Sequence, residues 1–231
     1  MKLNKLAIAL GATVLSGAAA AEFSANIGAT SNYVWRGVTQ TDDDAAVSGG
    51  LDYAHESGFY AGTWASNVDY NGASAEVDLY GGFANELAGG LGYDIGAIYY
   101  YYPGADDDSS TLVDEGEIDF AEISLGLSYG PVSGGVAYTV YKEDSDADEN
   151  DLYYHIGASF DVAETWSVGG TVGYYDFDDG TDYSHGQLDI TKDVGEFGSF
   201  TFTLSGIFDQ DDDLDLDNDP LVFVSWAKTF D

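Results

Sequence analysis

Apolar and polar residues alternate at every second position along most of the chain, in pieces of about ten residues separated by turn chemistry. The first piece, 23–36, sets Phe23, Ala25, Ile27, Ala29, Tyr33 and Trp35 against Ser24, Asn26, Thr30, Asn32 and Arg36. In the second, Val47, Leu51 and Tyr53 oppose Ser48 and Asp52, and a third runs through Tyr60, Trp64 and Val68. In the fourth, 75–84, Val77, Leu79 and Phe83 oppose Glu76, Asp78 and Tyr80. Further pieces at 91–102, 120–129, 132–141, 152–160, 166–177, 183–192, 200–208 and 221–230 bring the expected strands to twelve. No segment has a convincing helical period.

The connections are sorted by parity. Those after odd strands carry 42–44, 69–74, 103–119, 142–151, 176–182 and 209–220, most of them acidic. Those after even strands are short: 55–58, 85–90, 130–131, 161–165 and 193–198. Long acidic loops at one end and tight turns at the other predict an all-β, antiparallel, up-and-down transmembrane β-barrel with periplasmic turns and extracellular loops. In hydrocarbon every backbone amide must be paired, which a closed barrel achieves.

A charge facing lipid at mid-membrane costs about 2–4 kcal/mol. Sending the Leu, Val, Ile and Phe face outward turns Arg36, Asp52, Glu76, Asp78, Asp94, Glu122 and Asp189 into the lumen, one parity choice per strand. His155 and His185 point inward by the same rule. These nine residues are the candidates for a constriction that sorts solutes by charge. A salt-bridge cluster filling a narrow barrel is the equally weighted alternative. Tyr33, Trp35, Trp64, Tyr99, Tyr101 and Trp226 lie near strand ends and are expected as an interfacial girdle. The final strand ends in Phe230, one residue before the terminus, and is similar to the insertion signal of outer-membrane barrels.

Composition narrows the function. A formal charge of −36 excludes nucleic acid as a partner. Aromatic content of 15% with sustained alternation argues for a folded protein rather than an acidic disordered one. The chain has no cysteine, hence no disulfide and no thiol chemistry. Residues 1–21 read as a cleaved signal peptide, with Lys2 and Lys5, an apolar run and Ala18–Ala21 as the cleavage region, leaving 22–231 as the barrel.

The segment SNYVWRGVTQTDDDAAVSGGLDYAHESGFYAG, 31–62, resembles the signature of the TorF family of porins. The resemblance implies an outer-membrane location and a porin assignment, and it supplies no catalytic residues.

Two acidic runs could hold Ca²⁺ or Mg²⁺ through carboxylates spaced by two: Asp144, Asp146 and Asp148, and Asp213, Asp215 and Asp217. Neither is an EF-hand, and solvated loops are the plainer reading. A Ser–His hydrolase would have to come from His155 with Ser159 or His185 with Ser184, and parity turns both histidines away from lipid. The expected protein is an outer-membrane channel for passive diffusion of small solutes, cation-preferring, without cofactor, in contact with lipid and lipopolysaccharide. The rival is a non-conducting surface barrel whose acidic loops bind cations or partners.

Overall fold

The computed structural model describes residues 21–105, 118–143 and 149–231. The expected signal peptide therefore lies almost entirely outside the described residues, as do Asp144, Asp146 and Asp148. Strand β1 (Glu22–Thr30) is followed by a small hairpin, β2 (Val34–Trp35) and β3 (Val38–Thr39). Then come β4 (Ala46–Ala54), β5 (Phe59–Tyr70), β6 (Ala73–Leu87), β7 (Leu91–Tyr101), β8 (Phe120–Tyr129) and β9 (Val132–Lys142). The chain ends with β10 (Leu152–Ala163), β11 (Trp166–Asp176), β12 (Asp182–Asp193), β13 (Ser199–Gln210) and β14 (Leu221–Phe230). Apart from the β2–β3 pair, each strand pairs with its sequence neighbours, and β1 pairs with both β4 and β14. The result is a closed twelve-stranded antiparallel barrel with no free edge.

The two faces of the wall follow the alternation in the sequence. Leu51, Leu79, Ile95, Ile156, Leu188 and Val222 point outward and are each more than half exposed. A water-soluble fold would bury such side chains; a barrel in lipid displays them. Inward positions carry Asn26, Asp52, Asp94, Thr171, Gln187 and Asp189, or glycine. At Gly62 and Gly82 the missing side chain is required. A Cβ there would stand 2.5 Å from the Tyr80 ring and 2.5 Å from the Tyr60 hydroxyl respectively, so each glycine lets a tyrosine lie against the wall.

Three sequence expectations change. The first barrel strand stops at Thr30, not at residue 36, because Thr30 accepts the Asn32 amide and turns the chain inward. The connection 69–74 is no loop: β5 and β6 run on to a two-residue turn, Asn71–Gly72, with φ of 46° and 83°. Those left-handed values suit a tight hairpin. Trp64, expected at the lipid interface, faces the interior, and the outward positions around it are Ala61, Thr63 and Ala65.

Candidate functional site

The segment 31–45 folds into the barrel instead of standing above it. Val34–Thr39 and Trp35–Val38 pair across a two-residue tip, Arg36–Gly37, with φ of 48° and 89°. Glycine accepts such a φ freely, whereas an arginine in the left-handed region costs about 1–2 kcal/mol. The conformation therefore has to be held by contacts, and it is. Arg36 donates from both terminal nitrogens to the two oxygens of Glu122 on β8, at 2.8 and 2.7 Å. Its guanidinium lies over Trp35 at 4.1 Å and over Tyr153 of β10 at 4.0 Å. Burial works against the Arg36 charge, but Glu122 outweighs it, so the guanidinium is held above its ordinary pKa.

The hairpin crosses the lumen. At one side the Tyr33 hydroxyl donates to Glu76 Oε1 of β6 at 2.9 Å. Burial, and then the charge of Glu76, raise the Tyr33 hydroxyl well above its usual pKa and keep it a donor. At the other side Gly37 lies against His185 of β12, where a Cβ would meet the histidine Cβ at 2.7 Å. In the ring of strands β6 and β12 are six steps apart in either direction, hence diametrically opposite. Trp35 sits between them and packs against Tyr100, Phe120 and Tyr175. It joins both buried clusters of the molecule, one around Tyr33, Val68, Tyr100 and Tyr102, the other around Tyr153, Tyr175, Tyr183 and Ile207.

This corrects the expected girdle. Tyr33 is buried and bound to Glu76, Trp35 is the centre of the lumenal packing, and Trp64 contacts Tyr33 edge to face. Inward apolar side chains are stable here because the hairpin gives them something apolar to touch. Tyr99, Tyr101 and Trp226 do face outward. Trp166, which the girdle omitted, faces outward too and carries Lys192 over its ring. It closes the even-numbered end, where a tryptophan beside a turn was the available cue.

The nine lumen candidates all lie on the interior side, in two tiers. Arg36 forms the tip of the hairpin, and Glu76, Asp78, Glu122 and His185 line the wall around it. Below it, Asp52 accepts from Tyr80 at 2.5 Å and from Asn26 at 3.1 Å. Asp94 accepts from Tyr60 at 2.8 Å. Asp189 accepts from Gln187 at 3.0 Å and Thr203 at 2.7 Å. His155 stacks on Tyr153, and His185 Nε2 is 2.9 Å from the Tyr153 hydroxyl. Among the described residues neither of these histidines hydrogen-bonds a serine side chain; His55, in a turn, bonds Ser57.

The loop 211–220 folds over the odd-numbered end in alternation. Leu214 and Leu216 pack onto the Tyr183 cluster, while Asp213, Asp215 and Asp217 are exposed. Among the described residues no three acidic or histidine side chains gather into a metal-binding group, and these three candidate carboxylates stand apart as solvated loop residues.

Solved outer-membrane structures share the fold. The KdgM porin superposes with a TM-score of 0.55 at 8% identity, over 88% of this chain and 98% of that one. An outer-membrane channel of the COG4313 group from Pseudomonas putida F1 gives 0.57 at 9% identity, over 93% and 97%. KdgM has also been solved in complex with disordered oligogalacturonate. No curated protein sequence matches the chain. A family model described as a bacterial protein of unknown function, Gcw_chp, matches residues 15–213, and the chain belongs to that family.

Proposed function

We propose that this barrel is an outer-membrane channel for passive diffusion of small solutes, with a preference for cations. It would sit in outer-membrane lipid and lipopolysaccharide with its acidic loops outward. The observation that carries the reading is the charge of the interior. Asp52, Asp94 and Asp189 face inward below the hairpin, and the arginine of the interior is fully engaged by Glu122. Fixed carboxylates along a narrow lumen attract cations and repel anions. The shared fold with a porin and an outer-membrane channel supports the channel class, as does the resemblance of 31–62 to TorF-family porins. Oligogalacturonate, the polyanion bound in a KdgM structure, is the wrong charge for this lumen.

The crossing hairpin favours a second reading. A lumen spanned from β6 to β12 is also what a non-conducting surface barrel would have. Single-channel recording of refolded protein under a KCl gradient separates the two. Discrete steps with a reversal potential toward the K⁺ limit are expected. A sealed bilayer from heat-modifiable, folded barrel rejects the channel, and anion selectivity rejects the role given to the carboxylates.

A further inference from the structure

Where β6 meets the hairpin, the interior carries negative charge that no lysine or arginine among the described residues balances. Glu76 and Asp78 point inward two residues apart on one strand face, and each is 1% exposed. Glu76 accepts a hydrogen bond from the Tyr33 hydroxyl at 2.9 Å, and the Tyr102 hydroxyl lies close enough to feel its charge. Asp78 Oδ1 is buried without a hydrogen-bond partner, and the two carboxylates feel each other's charge. Trp64 lies opposite Asp78 on β5, and Tyr100 opposite it on β7.

The chain has six lysines and arginines to supply a counter-charge. Lys2 and Lys5 belong to the predicted signal peptide. Arg36 is held by Glu122, and Lys142 is paired with Asp151 at 2.8 Å. Lys192 and Lys228 lie over Trp166 and Phe230, toward the even-numbered end of the barrel. Two buried neighbouring carboxylates do not both remain ionised without compensation.

We propose that Glu76 and Asp78 bind a hard, oxygen-seeking divalent cation, Ca²⁺ in charge and ligand preference. The phenolic oxygens of Tyr33 and Tyr102 would stand beside the carboxylates, and main-chain oxygens and water would complete the shell. Because Tyr33 belongs to the hairpin segment, the ion ties the plug to the β6 wall. The site lies inside the barrel, away from the loop aspartates, and it does not depend on whether the barrel conducts.

The test uses the refolded full barrel with Tb³⁺ as a luminescent replacement for Ca²⁺, excited through tryptophan at constant ionic strength and pH. Trp64 stands beside Asp78, so saturable sensitised emission that Ca²⁺ displaces is expected. Asp78→Asn and Glu76→Gln should each weaken it by roughly 10- to 100-fold, a loss that even outer partners of a metal site cause. Trp64→Phe should weaken the emission, leaving what Trp35 sensitises from the far side of Tyr100, and should keep the Ca²⁺-induced rise in the heat-modification midpoint. The combined change of Asp213, Asp215 and Asp217 to Asn should leave both readouts in place. Equal emission from wild type and Asp78→Asn overturns the site. So does a midpoint that responds to pH but not to Ca²⁺, because the pair then shares a proton. If Asp78→Asn fails to fold, the same two outcomes are read from Glu76→Gln.

Discussion

At the scale of single residues the molecule depends most on Arg36. It occupies a left-handed backbone position that its side chain does not favour, and it is fixed by a bidentate bond and by the faces of Trp35, Tyr153 and Tyr175. Removing it leaves Glu122 buried and uncompensated, which costs about 3–5 kcal/mol in comparable pairs. Arg36→Ala should therefore release the hairpin and lower the heat-modification midpoint, with larger or noisier single-channel steps. Arg36→Lys keeps the charge but loses the planar fork and the stacking. An intermediate loss, about 1.5–3 kcal/mol as for a hydrogen bond to a charged group, is expected. A lysine variant indistinguishable from wild type in midpoint and conductance would show that charge alone holds the tip. Little of this was legible in advance. Alternation sent Arg36 inward as part of a strand that in fact ends at Thr30, and nothing local distinguishes an arginine in a strand from one at the tip of an inserted hairpin, since the contacts that decide it come from β8 and β10.

At the scale of elements, the strands were readable because each had to satisfy lipid on one side and a polar interior on the other. The periodicity of 120–129 and 221–230 returns as β8 and β14 with the same residues at their ends. The segment 31–45 was not readable for the same reason. Tyr33 and Trp35 continue the odd-numbered apolar series of β1, so period two runs straight through the turn at Thr30–Asn32. Trp64 failed alongside them: an inward tryptophan looks misplaced until the hairpin it packs against is known. The hairpin is separable from the wall, because its own ladder joins only β2 to β3 while the twelve barrel strands pair with one another. Replacing 33–39 with a Gly–Ser linker should leave a folded, heat-modifiable barrel whose conductance rises several-fold. Unchanged conductance in that variant would show that the hairpin is not the constriction.

At the scale of the whole molecule, one geometric fact ties the fold to its surroundings: the four tryptophans divide two and two between the faces of the wall. Trp35 and Trp64 are inside, packed with Tyr100, Phe120 and Tyr33. Trp166 and Trp226 are outside, close to the even-numbered turns, where Trp226 donates to the Phe197 carbonyl at 2.7 Å. Aromatic rings with a polar edge settle at the boundary between hydrocarbon and headgroups. Reconstitution into bilayers with brominated acyl chains should therefore quench Trp166 and Trp226 and spare Trp35 and Trp64. Variants keeping one tryptophan each, the others changed to Phe, make the four contributions separable. Bromine near the chain ends should quench less than bromine near the headgroups, because both outer rings lie by one interface and not at the midplane. Quenching of Trp64 in a folded single-tryptophan variant would mean that β5 presents its other face to lipid. That would turn Ser66 outward with it, and by the pairing of β5 with β6 would bring Glu76 and Asp78 out of the lumen as well. Two carboxylates facing hydrocarbon would be so unfavourable that this single readout tests the parity of the wall, the placement of the hairpin and the buried acidic pair together.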